Sequence, residues 1–143
     1  MNDADEALRT SIRLEISDIE PWDALEAEHR DAALRWVDSG AELFRIQKPD
    51  RPSQHLIAYF VVTDLSGVFL GDHRLSGLWL PPGGHVEPGE HPRQTVEREI
   101  VEELGVSTPH PVDEPLMVTV TRTVGASPHT DVALWYVIRV APD

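Results

Sequence analysis

The stretch from residue 81 to residue 105 joins a tight turn to a strongly acidic helix. Two prolines and two glycines occupy positions 81–84, and this composition excludes regular structure, allows positive backbone dihedrals and frees carbonyl oxygens to face a ligand. Glu90 is expected to cap the helix that follows, with Pro92 in its first turn, where a missing N–H has no cost. Gly105 is expected to end the helix. The segment therefore predicts a turn followed directly by a helix.

The two faces of this helix differ in chemistry. At about 100° per residue, its apolar and acidic side chains fall on opposite sides. The apolar stripe, which is expected to pack, consists of Val96, Ile100 and Leu104. The acidic face consists of Glu99, Glu102 and Glu103.

The acidic face is poorly placed for stability. Glu99 and Glu103 are like charges four residues apart, and Glu102 and Glu103 lie at the negative end of the helix dipole. Clustered carboxylates supply the hard oxygen ligands that Mg²⁺ or Mn²⁺ prefers, and a bound cation would remove the repulsion. The pattern therefore indicates a metal site, although a solvated acidic face is the commoner explanation when nothing else accompanies such a helix.

Seven residues of this segment form a single pattern with fixed spacings: Gly84, Glu90, Arg98, Glu99, Glu102, Glu103 and Gly105. Ile100 and Val106 are aliphatic, as the same pattern requires. Together they resemble the complete sequence box of the Nudix hydrolases, and the lead-in at 79–83 is similar to theirs. The fixed positions cover residues 79–106, and the pattern of strands extends the likeness over residues 54–140. With the full box present, the resemblance favours the metal site over the solvated face.

The resemblance implies a role for each residue of the box. Metal ligands would be Glu99, Glu102, Glu103 and the carbonyl of Gly83, with Mg²⁺ or Mn²⁺ as the cofactor. Catalysis would involve Glu99, Arg98 and Glu102, with Glu99 acting as general base or as ligand and Arg98 orienting the carboxylates. Structural positions would be Gly84, Glu90 and Gly105. The implied reaction is metal-assisted cleavage of a nucleoside diphosphate linked to another moiety.

The N-terminal third predicts one helix before the acidic segment. Residues 1–16 are polar and are expected to fray, with a short apolar anchor at Ile12, Leu14 and Ile16 as one alternative. A capping signal at Ser17 or Asp18 opens an amphipathic helix that ends at residues 39–40. Its apolar positions, expected in the core, include Trp22, Leu25, Trp36 and Val37, and His29 is expected in the core or at an interface. We divide the chain into a helical extension packed on the core, 1–47, and a Nudix hydrolase domain, 48–143.

The rest of the chain alternates between strand patterns and turns. Strands are predicted at 42–46, 55–63, 68–74, 116–123 and 132–140, the second and third of them forming a hairpin. The fold class is therefore α+β, with a mixed sheet, in agreement with the α/β/α sandwich that the resemblance implies. Nudix domains usually continue with a further strand and a helix, and these are expected to be lacking here because the chain stops at Asp143. The uncovered sheet face would then pack against the N-terminal helix or a second subunit, unless the sequence is a fragment.

Composition excludes several other classes of function. The net charge of −13, with a single lysine, disfavours a duplex nucleic-acid binder. A membrane-spanning run and a signal layout are both missing from the sequence, so the expected compartment is the cytoplasm. Without any cysteine, disulfides, thiolate sites and the isopentenyl-diphosphate isomerase branch of the superfamily are disfavoured. The expected partner is a small nucleotide-type substrate, and a homodimer is one alternative.

Residues outside the box are weaker candidates for substrate binding. The candidates are His55, Tyr59, Arg74, Trp79, His129 and Asp131. The loop with His129 and Asp131 has an equally good explanation as a polar turn, and core packing is the better interpretation of Trp79 and Trp135. Among substrates, a MutT-like nucleoside triphosphate is slightly favoured, followed by a nucleotide sugar or a dinucleotide. A nucleotide sensor without catalysis is the alternative from another class, although sensors commonly lose the glutamates that this chain keeps.

Overall fold

The computed structural model describes residues 2–64, 66–73, 77–105, 112–125 and 127–140, which form three helices and six strands. The helices are α1 (Asp3–Ser17), α2 (Ala24–Asp38) and α3 (Pro92–Leu104). The strands are β1 (Gln54–Thr63), β2 (Gly71–His73), β3 (Leu78–Leu80), β4 (Gly83–His85), β5 (Met117–Arg122) and β6 (Thr130–Arg139).

Four of the strands form one mixed sheet in the order β4-β1-β6-β5. The two long central strands, β1 and β6, run parallel, and the outer strands β4 and β5 pair antiparallel to them. The predicted α+β class with a mixed sheet is therefore confirmed. Strands β2 and β3 form a separate two-stranded ribbon, and the predicted hairpin of 55–63 with 68–74 is reduced to one bridge between Thr63 and Val68.

The hydrophobic core lies on the sheet face formed by the even-numbered residues of β1 and β6. Because side chains alternate along a strand, these residues share one face. The buried residues of this face include Leu56, Ala58, Phe60, Val132, Leu134 and Tyr136. The helices add Ile12 and Ile16 from α1, Ala33 and Val37 from α2, and Val96 and Ile100 from α3. All three helices therefore pack on the same face, and the predicted apolar stripe of the acidic helix is confirmed.

Helix α1 occupies the segment that was expected to fray, so that expectation is wrong. The side chain of Asn2 caps the helix by accepting from the backbone N–H of Asp5 at 2.9 Å, and three acidic residues in the first turn suit the positive end of the dipole. Of the alternative apolar anchor, Ile12 and Ile16, four residues apart, are both fully buried, whereas Leu14 is exposed, so its predicted part in the anchor is wrong. Their burial against the sheet stabilises a helix that is polar over most of its length.

Helix α2 begins at Ala24, later than predicted, because Asp23 rather than Ser17 or Asp18 caps it. Trp22 precedes the cap and is 85% exposed, so its predicted place in the core is wrong, as is that of the exposed Leu25. Trp36 and Val37 do pack in the core, as predicted. His29 lies at an interface, where its Nδ1 accepts a hydrogen bond from the backbone N–H of Val120 at 2.8 Å. Helix α2 thereby satisfies a backbone group of β5, the outer strand of the sheet.

The opposite face of the sheet carries no helix within the described residues. Ile57 and Ala133 are buried there, yet they do not belong to the core cluster. Helices α1 and α2 lie with α3, so the expectation that the N-terminal helix covers this second face is wrong. The segment 42–46, predicted as a strand, is irregular. Its Leu43 is buried, and the Leu43 carbonyl accepts from the N–H of Leu56 at 2.8 Å.

Candidate active site

The acidic helix α3 is capped by His91 and not, as expected, by Glu90. The His91 Nδ1 accepts from the backbone N–H of Arg93 at 3.1 Å, and the side chain of Gln94 accepts from the N–H of His91 at 2.8 Å. Pro92 stands in the first turn, where a missing N–H has no cost. Gly105 ends the helix in the left-handed conformation at φ 68°, as predicted.

Glu90 is instead the anchor of Arg98. The guanidinium donates to both carboxylate oxygens of Glu90 at 3.0 Å, and the Thr95 hydroxyl donates to the same group at 2.5 Å. Burial alone would raise the pKa of Glu90, but the hydrogen bonds from Arg98 and Thr95 outweigh it and lower that pKa. The result is a charged pair whose geometry is bidentate, which fixes the plane of the guanidinium.

The remaining N–H groups of Arg98 reach the loop and the acidic face. They donate to Glu99 Oε1 at 2.9 Å and to the carbonyl of His85 at 3.2 Å, and Glu102 Oε2 lies 3.6 Å away. Arg98 therefore connects the turn before the helix to two of the predicted metal ligands.

Glu99 lies between Arg98 and the glycine turn. Its side chain is only 12% exposed, and a Cβ placed on Gly84 would come within 2.7 Å of its carboxyl carbon. Burial, opposed by the charge of Arg98 and assisted by the charges of Glu102 and Glu103, raises the pKa of Glu99 to about 7. The site thus holds a carboxyl group that is costly to ionise unless a cation is near.

The carbonyl of Gly83 points in the same direction as that of His85. Strand β4 bonds to β1 through alternate residues, since Phe60 N–H donates to Pro82 and Val86 N–H donates to Leu56. The intervening residues Gly83 and His85 therefore direct their backbone groups away from β1, toward the outer edge of the sheet. Because Arg98 contacts the His85 carbonyl at that edge, Gly83 belongs to the same side as the carboxylates of α3.

The two carboxylates of the last turn are more open than Glu99. The side chain of Glu102 is 57% exposed, and Glu103 is exposed as well. Both carboxylates nevertheless lie close enough to Glu99 for their charges to raise its pKa.

Comparison with known protein families identifies the domain that carries this site. A family model of the NUDIX domain matches residues 53–142. The chain belongs to the Nudix family. A search among curated proteins gave no match. The Nudix domain supports a pyrophosphohydrolase of the general Nudix kind, typically dependent on a divalent metal and acting on a small nucleotide-type molecule.

Tyr59, a predicted pocket residue of this Nudix domain, lies with Trp135 on the second face of the sheet. Tyr59 stacks on Trp135, with ring centroids 4.7 Å apart at 26°. The Tyr59 ring also touches the turn, since a Cβ on Gly83 would come within 2.6 Å of its Cδ1. Trp135 is half-buried outside the core cluster, so its predicted place in the core is wrong, and its indole N–H donates to Thr119 at 2.9 Å.

The aromatic candidate Trp79 is not part of this stack. Trp79 is 67% exposed on β3, so its predicted place in the core is wrong. Arg74 lies outside the described residues. Among the described residues, no helix is both long and apolar enough to cross a bilayer.

His55 and His129 lie in a cluster that the sequence did not predict. Its four members are Asp50, His55, His85 and His129, whose potential donor atoms all lie within 4.8 Å of one another. Asp131 adjoins it, with one carboxylate oxygen 2.8 Å from His129 Nε2. Asp50 and His85 were missed because the four residues come from separate segments, and no periodicity or spacing in the chain connects them.

Two of the imidazoles in this cluster, those of His55 and His85, are held in their neutral form. Burial, and then the charges of Arg45 and His55, lowers the pKa of His85 to about 4. Burial also lowers the pKa of His55, although its bond to the Pro52 carbonyl opposes the shift. At neutral pH both rings therefore keep a lone pair.

Proposed function

We propose that this protein is a metal-dependent Nudix hydrolase that cleaves the diphosphate bond of a nucleoside diphosphate linked to another moiety. The observation that carries the proposal is the arrangement of Glu99, buried between Arg98 and Gly84 with its pKa raised to about 7. A raised pKa on a partly enclosed carboxyl group is typical of catalytic acids and bases and of ligands that await a cation.

The donor set of the site suits a hard divalent cation. Glu99, Glu102 and Glu103, together with the Gly83 carbonyl, would hold Mg²⁺ or Mn²⁺ through oxygen alone. Such an ion would neutralise the diphosphate and lower the pKa of an attacking water. The fit rests on the mutual repulsion of these acids, because Glu102 and Glu103 both raise the pKa of Glu99.

Each residue of the box then has a distinct task. Arg98 orients Glu99 through the 2.9 Å contact, while Glu90 fixes Arg98 from the other side. Glu99 accepts a proton from the attacking water or serves as a ligand. Gly84 leaves room for the Glu99 carboxyl group, and Gly105 ends the helix at the acidic turn.

The stacked pair of Tyr59 and Trp135 supports a nucleotide as the substrate. The pair is half-buried and adjoins Gly83, the residue that would contribute a ligand to the metal. A nucleobase placed on such a stack would gain roughly 1–3 kcal/mol per base contact. We propose a nucleoside triphosphate as the slightly favoured substrate, and a nucleotide sugar or a dinucleotide as the alternative.

A substrate panel tests the reaction. The purified protein is incubated with nucleoside triphosphates, nucleotide sugars and dinucleotides in Mg²⁺ or Mn²⁺, and the products are separated by chromatography. We expect a nucleoside monophosphate as one product and complete loss of turnover in excess EDTA. Full turnover in EDTA would refute the metal dependence.

Variants on helix α3 connect the activity to the box. We expect Glu102→Gln to lose most of the turnover. Glu97→Gln, an exposed residue of the same helix, is expected to keep it. If the protein binds nucleotides from the panel but cleaves none of them, the alternative of a nucleotide sensor replaces the enzyme.

A further inference from the structure

Asp50, His55, His85 and His129 form a second cluster of donors outside the carboxylates of the box. Three imidazoles and one carboxylate bring donor atoms within 4.8 Å of one another. The box binds through oxygen, whereas this cluster offers mainly ring nitrogens. The two sites are therefore expected to prefer different metals. Imidazole suits Zn²⁺ and related transition metals, whereas carboxylate and carbonyl oxygens suit Mg²⁺.

His55 is prepared to act as a ligand. The residue is completely buried, and its Nδ1 donates to the Pro52 carbonyl at 2.7 Å. Since Nδ1 carries the proton, Nε2 presents a lone pair. That Nε2 is buried and finds no hydrogen-bond partner within the described residues, and the same holds for His85 Nε2. Buried nitrogens without partners are rare, and they call for a ligand.

The spacing of the rings is close to that of a tetrahedral metal site. With metal–nitrogen bonds of about 2.0–2.1 Å at tetrahedral angles, ring centroids would lie about 5 Å apart and donor atoms about 3.4 Å apart. The centroid of His55 lies 5.1 Å from those of His85 and His129, and the latter two lie 6.2 Å apart. To reach tetrahedral spacing, the outermost donor atoms must therefore move by about an ångström, and rotation of the side chains can supply this movement.

The outer partners of the cluster also fit a metal site. Asp50 lies 3.2 Å from His129 Nδ1 and holds the Ser127 hydroxyl with its other oxygen. Whichever nitrogen of His129 binds, an acceptor faces the other one: Asp131 for Nε2 at 2.8 Å, or the Ser127 carbonyl for Nδ1 at 3.0 Å. Outer hydrogen bonds of this kind orient histidine ligands and fix their tautomer.

We infer that Asp50, His55, His85 and His129 bind one transition-metal ion of the Zn²⁺ class, separately from the Mg²⁺ or Mn²⁺ of the box. Four protein donors leave no open position, so the site is structural and not catalytic. The ion would join the loop before β1, strand β1, strand β4 and the residue that precedes β6. Because the His85 carbonyl accepts from Arg98, it would also hold the turn that precedes the catalytic helix.

Titration of the full-length, metal-stripped protein with Zn²⁺ alone tests this assignment. We expect one tightly bound ion per chain, a higher melting temperature when it binds, and imidazole scattering in the zinc-edge X-ray absorption spectrum. Asp50→Asn and His129→Asn are each expected to weaken binding at least about 10- to 100-fold, the range known for loss of an outer partner alone. Asp113→Asn, an exposed matched substitution, is expected to leave binding unchanged.

A box variant separates the two sites. Glu102→Gln is expected to leave both the Zn²⁺ affinity and the imidazole signal intact. Loss of Zn²⁺ binding in that variant, or equal binding in Asp50→Asn, His129→Asn and the parent protein, would overturn the assignment. If the histidine and aspartate variants fail to fold, the absorption spectrum of the parent protein decides alone, since a spectrum without imidazole places the ion on the carboxylates.

Discussion

Gly84 is required by the size of its neighbour and not by its backbone conformation. The carboxyl carbon of Glu99 would lie 2.7 Å from a Cβ at this position, so any side chain must displace the group that we propose to be catalytic. The contact explains in physical terms why the turn ends in a glycine where the helix carboxylate approaches.

Gly84→Ala is therefore expected to lower kcat by roughly 10²-fold, the effect of misplacing a reacting group by about 1 Å. The measurement is steady-state kinetics on the substrate that the panel identifies, with circular dichroism to confirm the fold. Gly67→Ala is the matched control, because an added Cβ there meets nothing within 4 Å. Equal losses in both variants would contradict the steric argument.

Substitution of Glu99 is expected to lower the turnover of the enzyme much more than the stability of the fold. We expect Glu99→Gln to lower kcat by roughly 10²- to 10⁴-fold, the usual range for a positioned acid–base group. Its melting temperature should be close to that of the parent protein, because the amide keeps the contact with Arg98 and avoids the cost of burying a charge. Kinetics and thermal denaturation are compared with those of Glu97→Gln on the same helix, and parent-level activity in Glu99→Gln would show that the residue is neither base nor essential ligand.

At the scale of elements, Glu15 connects helix α1 to the start of helix α3. Its carboxylate lies 2.9 Å from His91 Nε2 and 3.2 Å from Arg93 Nε, and it accepts from the Tyr136 hydroxyl at 3.0 Å. His91 also caps α3 through its Nδ1, so one ring joins both helices. Since Nδ1 accepts there, Nε2 carries the proton and donates to Glu15.

This connection predicts a pH-dependent contribution to stability. Burial would raise the pKa of Glu15, but the hydrogen bond from His91, followed by the charge of Arg93 and the hydrogen bond from Tyr136, lowers it overall from its ordinary value of 4.5. A carboxyl group whose pKa is depressed on folding stabilises the protein above its unfolded pKa, and the contribution is lost as the pH falls through the folded value.

Glu15→Gln should therefore lower the melting temperature at pH 7 by roughly 5 °C or more, because it breaks a mostly buried ion pair. The difference from the parent protein should shrink as the pH falls below 4.5. Thermal denaturation from pH 3 to pH 7 provides the measurement, with Glu20→Gln, an exposed substitution, as the control. A difference that does not change with pH would show that Glu15 acts through packing.

At the scale of the whole molecule, the N-terminal helices belong to the core. Ile12, Ile16, Ala33 and Val37 lie in one cluster with the sheet and with α3. We therefore propose that the extension 1–47 folds together with the domain at 48–143.

Deleting residues 1–40 is expected to unfold or aggregate the protein. Burial of four apolar side chains contributes several kcal/mol at about 25 cal/mol per Å², which is comparable to the stability of a small domain. The measurements are circular dichroism and light scattering, which also reports whether the full chain is a dimer. Leu25→Ala, at an exposed position of α2, is the control for general disturbance of the helix. A soluble, active monomer without residues 1–40 would rule out this arrangement.

The sequence alone determined the elements whose signals are local. Runs of strand-forming residues bounded by turns predicted β1, β5 and β6, and helical periodicity with a final glycine predicted the buried stripe and the end of α3, because these features depend on residues a few positions apart. The tertiary structure decided the rest. It turned the N-terminal segment into α1 by burying Ile12 and Ile16, and it left Trp22 and Trp79 exposed. It also brought Asp50, His55, His85 and His129 together from four segments. No local pattern connects such residues, since only the pairing of β1 with β4 and β6 makes them neighbours.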